Sequence, residues 1–134
     1  LRRYKPEVKI IGVEPEGAAT MFTSRRQGRP IDLDTVTTIA DGLATRNTDP
    51  LLFEIVEKHV DDLVTVTDER ILDAVRFLLE RAKLLAEPAG ALTVAALLEN
   101  KVSLRPGART VALISGGNFD IKGRLEFRYG REGR

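Results

Sequence analysis

A chain of 134 residues has the length of one ordinary domain, and 43% hydrophobic with 31% charged residues is enough to bury a core. Its 21 Lys+Arg and 20 Asp+Glu leave a net charge of +1, a balance that argues against a nucleic-acid binder, whose signature is a strongly basic face. Zero cysteines exclude disulfides, zinc–thiolate sites, iron–sulfur clusters and a cysteine nucleophile, and fit a reducing, cytoplasmic setting. No apolar run approaches the ~20 residues of a membrane span. The Leu1-Arg-Arg-Tyr-Lys-Pro-Glu start carries no initiator Met and no apolar stretch behind its basic residues, so it reads as the interior of a longer protein rather than a signal peptide.

Val8-Lys-Ile-Ile-Gly-Val13 is a short β-branched run that predicts a strand, stopped by Pro15, which has no N–H for a ladder. Residues 17–27 predict a helix with Gly28 just past its end. Residues 29–50 are polar and turn-rich, and a long aperiodic stretch in a small domain is often functional. Leu52, Ile55 and Val56 form a stripe on a helix over 51–59, and residues 61–66 predict a second strand. Thr67 is a natural N-cap, with Asp68 and Glu69 placed to favour the dipole of a helix running to about Lys83. Pro88 suits the first turn of an Ala- and Leu-rich helix over 89–101. After an Arg105-Pro-Gly107 turn, Thr110-Val-Ala-Leu-Ile114 predicts a third strand, broken by Ser115-Gly-Gly-Asn118. The tail alternates Leu125, Phe127 and Tyr129 with charged residues, as a strand or a frayed basic end would. Strand and helix alternation predicts an α/β unit, a parallel sheet covered by helices, over residues 1–121, followed by a tail at 122–134.

Ligands of open α/β sheets bind beyond the carboxyl ends of the strands. Ser115-Gly-Gly-Asn118 offers two glycines for close backbone approach and two polar side chains; its alternatives are a ligand loop and a plain turn. His59 reads as a structural histidine. Asp61 and Asp62, on opposite faces of a strand, read as solvated residues at its start rather than a catalytic pair. With one His and no Cys, a metal site would need oxygen ligands and suit magnesium or calcium.

Five blocks together go further: Ile10-Ile-Gly-Val-Glu-Pro-Glu-Gly-Ala18, Ile39-Ala-Asp-Gly-Leu-Ala44, Val60-Asp-Asp-Leu-Val-Thr-Val66, Glu80-Arg-Ala-Lys-Leu-Leu-Ala-Glu-Pro-Ala-Gly-Ala91 and Leu113-Ile-Ser-Gly-Gly-Asn118. In this order and spacing they resemble the threonine dehydratases (threonine ammonia-lyases), fold-type-II pyridoxal-phosphate enzymes of the tryptophan synthase β-like class, with serine racemase a close relative. The resemblance implies β-elimination of water from L-threonine or L-serine, giving a 2-oxo acid and ammonia, by a cytoplasmic homo-oligomer that engages neither nucleic acid nor membrane. Serine racemase or another amino-acid lyase of the same fold is the alternative. A non-catalytic small-molecule-binding module is the alternative of another class.

The resemblance also implies that the Schiff-base lysine and the glycine-rich phosphate loop lie upstream, Leu1 to Lys5 matching the end of the helix after that loop. No catalytic residue then falls in this chain, which would be inactive by itself. Ser115 matches the serine facing the pyridine nitrogen of the cofactor, and Gly116 and Gly117 the backbone beside the ring. Gly42 matches a glycine whose backbone runs next to the cofactor, and Glu87 a glutamate near the ring; Glu87 also suits a plain helix cap. Relatives bind a divalent cation, Mg or Ca, through positions matching Glu14, the Ala18 carbonyl and a third carboxylate, replaced here by Thr20.

Overall fold

The structure, a computed structural model, describes residues 1–120. In chain order it forms β1 (Ile11–Pro15), a 3-10 turn (Glu16–Ala18), α1 (Thr20–Gln27), a second 3-10 turn (Asp41–Leu43), α2 (Pro50–His59), β2 (Asp62–Val66), α3 (Asp68–Phe77), a π turn (Leu78–Ala82) and α4 (Pro88–Leu98). β1 and β2 pair in parallel, Val13 opposite Val64 and Pro15 opposite Val66. A parallel pair needs a long crossover, and residues 16–61, carrying α1 and α2, supply it.

Side chains alternate across this ribbon and divide the molecule in two. Val13, Val64 and Val66 face one way, into a cluster with Ile71, Ala74, Val75 and Leu78 of the α3 arm and Ala91, Leu92 and Ala95 of α4. Gly12, Glu14, Leu63 and Thr65 face the other way, and Glu14 reaches α1 there. Helices therefore cover both faces, as the strand and helix alternation predicts.

The element boundaries follow local chemistry. Asp49 accepts the Leu52 N–H at 3.1 Å with Pro50 behind it, which starts α2. The Thr67 hydroxyl accepts the Arg70 N–H at 3.4 Å, which starts α3. Gly28, at φ 69°, closes α1 as expected. Asn100, at φ 55°, closes α4 three residues before the expected end, while Lys101 N–H returns to the Ala96 carbonyl.

The first strand lies three residues later than predicted and ends on Pro15 itself. Asp61 is the reason: its carboxylate takes the Ile10 N–H at 2.6 Å, so Ile10 is bonded to a side chain where a ladder would begin. Asp61 is thus not simply solvated. It also pairs with Arg2, whose guanidinium donates to the carbonyls of His59, Pro6 and Val8. The helix expected from Gly17 begins at Thr20, because residues 16–18 are spent on a 3-10 turn.

The predicted third strand is not formed. Residues 110–114 pair with no strand among the described residues, Val111 is 92% exposed, and the segment is tied to α4 through Thr93 Oγ1, which donates to the Leu113 carbonyl at 2.9 Å. A β-branched apolar run becomes a strand only where it lies along a neighbour's N–H and C=O groups, and residues 110–114 lie along neither described strand. The reading of residues 122–134 lies outside the described residues.

The aperiodic 29–50 segment is folded back on itself. Asp32 and Asn47 form an antiparallel bridge, flanked by Leu33 N–H to Arg46 carbonyl at 2.8 Å. Its base is fixed to α1 by the fully buried Ser24, whose hydroxyl donates to the Thr20 carbonyl, meets Thr48 Oγ1 at 2.9 Å and accepts the Ile31 N–H.

Candidate functional site

Three separate segments converge on the first turn of α4. Residues 115–118 arrive there because Gly90 has no side chain: a β-carbon at Gly90 would stand 1.6 Å from the Ser115 carbonyl oxygen. Glu87, the residue before α4, fastens the same loop twice. Its N–H donates to the Gly116 carbonyl at 3.3 Å, and its carboxylate accepts the Asn118 N–H at 3.1 Å. Gly42 comes from the 3-10 turn of the 29–50 segment and lies against Ala89, where an added β-carbon would meet the Ala89 methyl at 3.4 Å. Ser115, Gly116, Gly42 and Glu87 are thus one cluster.

The cluster presents an exposed, polar stretch of glycine backbone. Ser115 is exposed, and among the described residues its hydroxyl has no hydrogen-bond partner. Gly116 sits at φ 67°, a region that glycine enters freely, and a side chain there would strike the Glu87 carboxylate. Gly117 passes the Leu85 carbonyl at a distance no side chain would allow. Glu87 does not cap α4, since no helical N–H reaches its carboxylate. Of its two readings, the capping one fails, and the carboxylate is turned to the 115–118 loop.

Glu14 lies at the carboxyl end of β1, half-buried, with one oxygen accepting the Met21 N–H at 2.9 Å and the other the Phe22 N–H at 2.7 Å. The carboxylate caps α1 from a neighbouring strand, a task that Ala19 at the N-cap position has no side-chain oxygen to perform. Burial pushes the Glu14 pKa up, opposed by these two N–H groups. The two sides of this contact were legible only as a strand-end Glu and a helix start; nothing in the spacing joins them.

The metal positions fit a cation poorly. Both Glu14 oxygens already accept N–H groups, and Thr20, whose hydroxyl donates to the Thr45 carbonyl at 2.7 Å, brings no charge. One engaged carboxylate with no anionic companion is too little for magnesium or calcium, which favour several oxygen ligands. Among the described residues no cluster of three or more His, Cys, Asp or Glu is assembled.

Sequence reasoning also passed over Asp68, read there as a charge near a helix terminus. Its carboxylate accepts Thr38 Oγ1 at 2.6 Å and the Ile39 N–H at 2.9 Å, which ties the segment before Gly42 to α3. His59 enters only through its carbonyl, an acceptor for Arg2.

A parallel α/β unit with glycine backbone gathered at a helix start has the arrangement that ligand-binding α/β proteins use. Residues 1–116 match the model of the pyridoxal-phosphate dependent enzymes, and the chain belongs to that family. It is 46% identical to an L-threonine ammonia-lyase of Thermotoga maritima over 90% of this chain and 30% of that one. It is also 39% identical to a serine racemase of Schizosaccharomyces pombe, over 90% of this chain and 37% of the relative. Among solved structures, a threonine deaminase of Solanum lycopersicum superposes with a TM-score of 0.79 at 31% identity, over 90% of this chain and 33% of its own. The fold is therefore that of the fold-type-II pyridoxal-phosphate enzymes. The chain spans about a third of the length of the curated relatives it matches.

The residues present suit a flat cofactor ring: the Ser115 hydroxyl is exposed and, among the described residues, has no hydrogen-bond partner, and the backbone beside it lacks β-carbons at Gly116 and Gly117.

Proposed function

We propose that these residues form the pyridine-nitrogen side of the cofactor pocket in a threonine/serine dehydratase, which eliminates water from L-threonine or L-serine to give a 2-oxo acid and ammonia. The observation that carries this reading is the convergence of Gly42, Glu87 and residues 115–118 on the start of α4, in a chain 46% identical to an L-threonine ammonia-lyase.

Pyridoxal phosphate, when bound, supplies an electron sink for the charge that develops at Cα of the substrate. The Ser115 hydroxyl would be the group to hold the pyridine nitrogen, and as a neutral donor it would keep the sink weak and favour departure of the β-hydroxyl. Gly116 and Gly117, lacking side chains, would let the backbone lie close to the ring. Glu87 holds the Asn118 N–H and so fixes the loop that presents Ser115. No lysine of these 134 residues is assigned the Schiff-base role. The relatives' activities support a threonine- or serine-like substrate, and a cytoplasmic homo-oligomer is part of the same proposal.

Serine racemization is the second reading, favoured by the 39% identity to a serine racemase. The complete protein, given pyridoxal phosphate, should form 2-oxobutanoate from L-threonine and pyruvate from L-serine. D-Serine as the main product would replace the dehydratase reading with the racemase one. Ser115→Ala should shift the cofactor absorbance and slow turnover; an unchanged spectrum and unchanged turnover would remove Ser115 from the pocket.

A further inference from the structure

The loop carrying Gly42 has no helix or strand of its own beyond a single 3-10 turn, yet its position is closely fixed. Two groups of that loop donate to one carboxylate at the start of α3: Thr38 Oγ1 to Asp68 Oδ1 at 2.6 Å, and the Ile39 N–H to Asp68 Oδ2 at 2.9 Å. Thr38 Oγ1 in turn accepts the Ala40 N–H at 3.1 Å. Three consecutive residues are thereby tied to Asp68, directly or through one hydroxyl. Ala40, fully buried in the main core, then fixes the height at which the chain leaves for Asp41 and Gly42. Gly42 meets α4 at Ala89, one residue before the Gly90 that receives Ser115.

Asp68 is well placed for this task. It is the first residue of α3, so the helix N-terminus favours its negative charge, and α3 is anchored in the core by Ile71, Ala74 and Val75. Hydrogen bonds to an ionised acceptor are about twice as strong as neutral ones, and both oxygens are engaged. The carboxylate therefore links a helix anchored in the core to residues 38–40 of a loop whose own antiparallel bridge lies elsewhere, at Asp32 and Asn47.

We propose that Asp68 is a positioning residue for the cofactor pocket, holding residues 38–42 in the place where Gly42 lines the cofactor. This rests on the reading that the Gly42 segment borders bound pyridoxal phosphate. Asp68 itself touches no cofactor; it acts through Thr38 and Ile39.

The test uses the complete holoenzyme and its apo form, with cofactor affinity read by absorbance titration of apoenzyme with pyridoxal phosphate. Asp68→Asn and Thr38→Val should each weaken cofactor binding roughly tenfold or more, about what losing one charge-assisted hydrogen bond accounts for. Asp68→Glu, which keeps both acceptor oxygens and the charge, should recover most of the loss. The melting temperature of the apoenzyme should fall only modestly in all three. Gly42→Val, which pushes the segment off Ala89, should weaken cofactor binding independently of Asp68. If Gly42→Val weakens binding but Asp68→Asn changes only the melting temperature, the positioning role is overturned while the pocket reading stands. If neither variant changes cofactor affinity, the reading of the Gly42 segment fails and the proposal fails with it.

Discussion

At the scale of single residues, the two perturbed carboxylates act in opposite senses. Asp61 is exposed, and its pKa is lowered first by the Ile10 N–H and then by Arg2. A carboxylate held below its ordinary value contributes stability above that value and loses it as pH falls through the folded pKa. Asp61→Asn in the complete protein should therefore lower the melting temperature at neutral pH and flatten its decline below about pH 4, near the ordinary Asp value. Parallel acid profiles for the two proteins would show that the Ile10 and Arg2 bonds do not couple to folding. Glu14 differs: burial raises its pKa, so the same acidification relieves a cost there instead of removing a benefit. Its main work is at α1, where it satisfies two N–H groups of the first turn. Glu14→Gln leaves one of them facing an amide NH2 and should cost roughly 1–3 kcal/mol in chemical denaturation. Since the Glu14 oxygens are taken by these bonds, melting curves recorded with magnesium, calcium or a chelator should superimpose; a rise with cation would restore the metal reading.

At the scale of elements, the site depends on how α4 begins. Its first turn is crowded on one side by the Ser115 carbonyl, which only glycine at residue 90 permits, and on another it meets Gly42 in ordinary contact at Ala89. Gly90→Ala places a methyl 1.6 Å from the Ser115 carbonyl oxygen, so either the loop or the helix must move. The expected outcome is release of residues 115–118, seen as weakened cofactor binding in the complete protein together with a loss of roughly 1–3 kcal/mol of stability. Normal affinity and stability would mean that the loop need not lie on α4. The α3 arm shows the same economy of backbone. Its last turn widens to a π turn closed by Lys83 at φ 58°, and the Leu84 N–H returns to the Leu78 carbonyl. That turn releases the chain toward Ala86 and Glu87, where a continued α-helix would carry it past the site.

At the scale of the whole molecule, buried and exposed apolar surface are unevenly placed. Ile71, Val75, Val66 and Ala91 are sealed in one core, while Val111 and Leu113 are 92% and 74% exposed. Apolar runs of that kind mark surfaces that are covered by something else. The 134-residue chain expressed alone should therefore self-associate, detectable as concentration-dependent light scattering, whereas the same residues within the complete protein should not. Monodisperse monomer at high concentration would show that residues 110–114 need no cover.

Much of this was legible in the sequence, because the signals were local. β-branched runs marked both paired strands, Thr67, Pro88 and Gly28 marked helix ends, and five blocks in register identified the pyridoxal-phosphate enzymes. Such features depend on φ/ψ preference and hydrophobic period, which neighbouring residues decide among themselves. The strand at 110–114 was misread for the same reason: its propensity is local, but its ladder partners are not. Only the tertiary structure decided that Glu14 caps α1, that Asp68 holds residues 38–40 and that Glu87 fastens the 115–118 loop. Each of these is a contact between a carboxylate and backbone or hydroxyl groups 7 to 31 residues away, and its existence depends on the packing of whole elements. The family was legible in the local sequence alone; the fold decided which side chains hold the proposed site residues, because distance along the chain carries no information about which donor a carboxylate will meet.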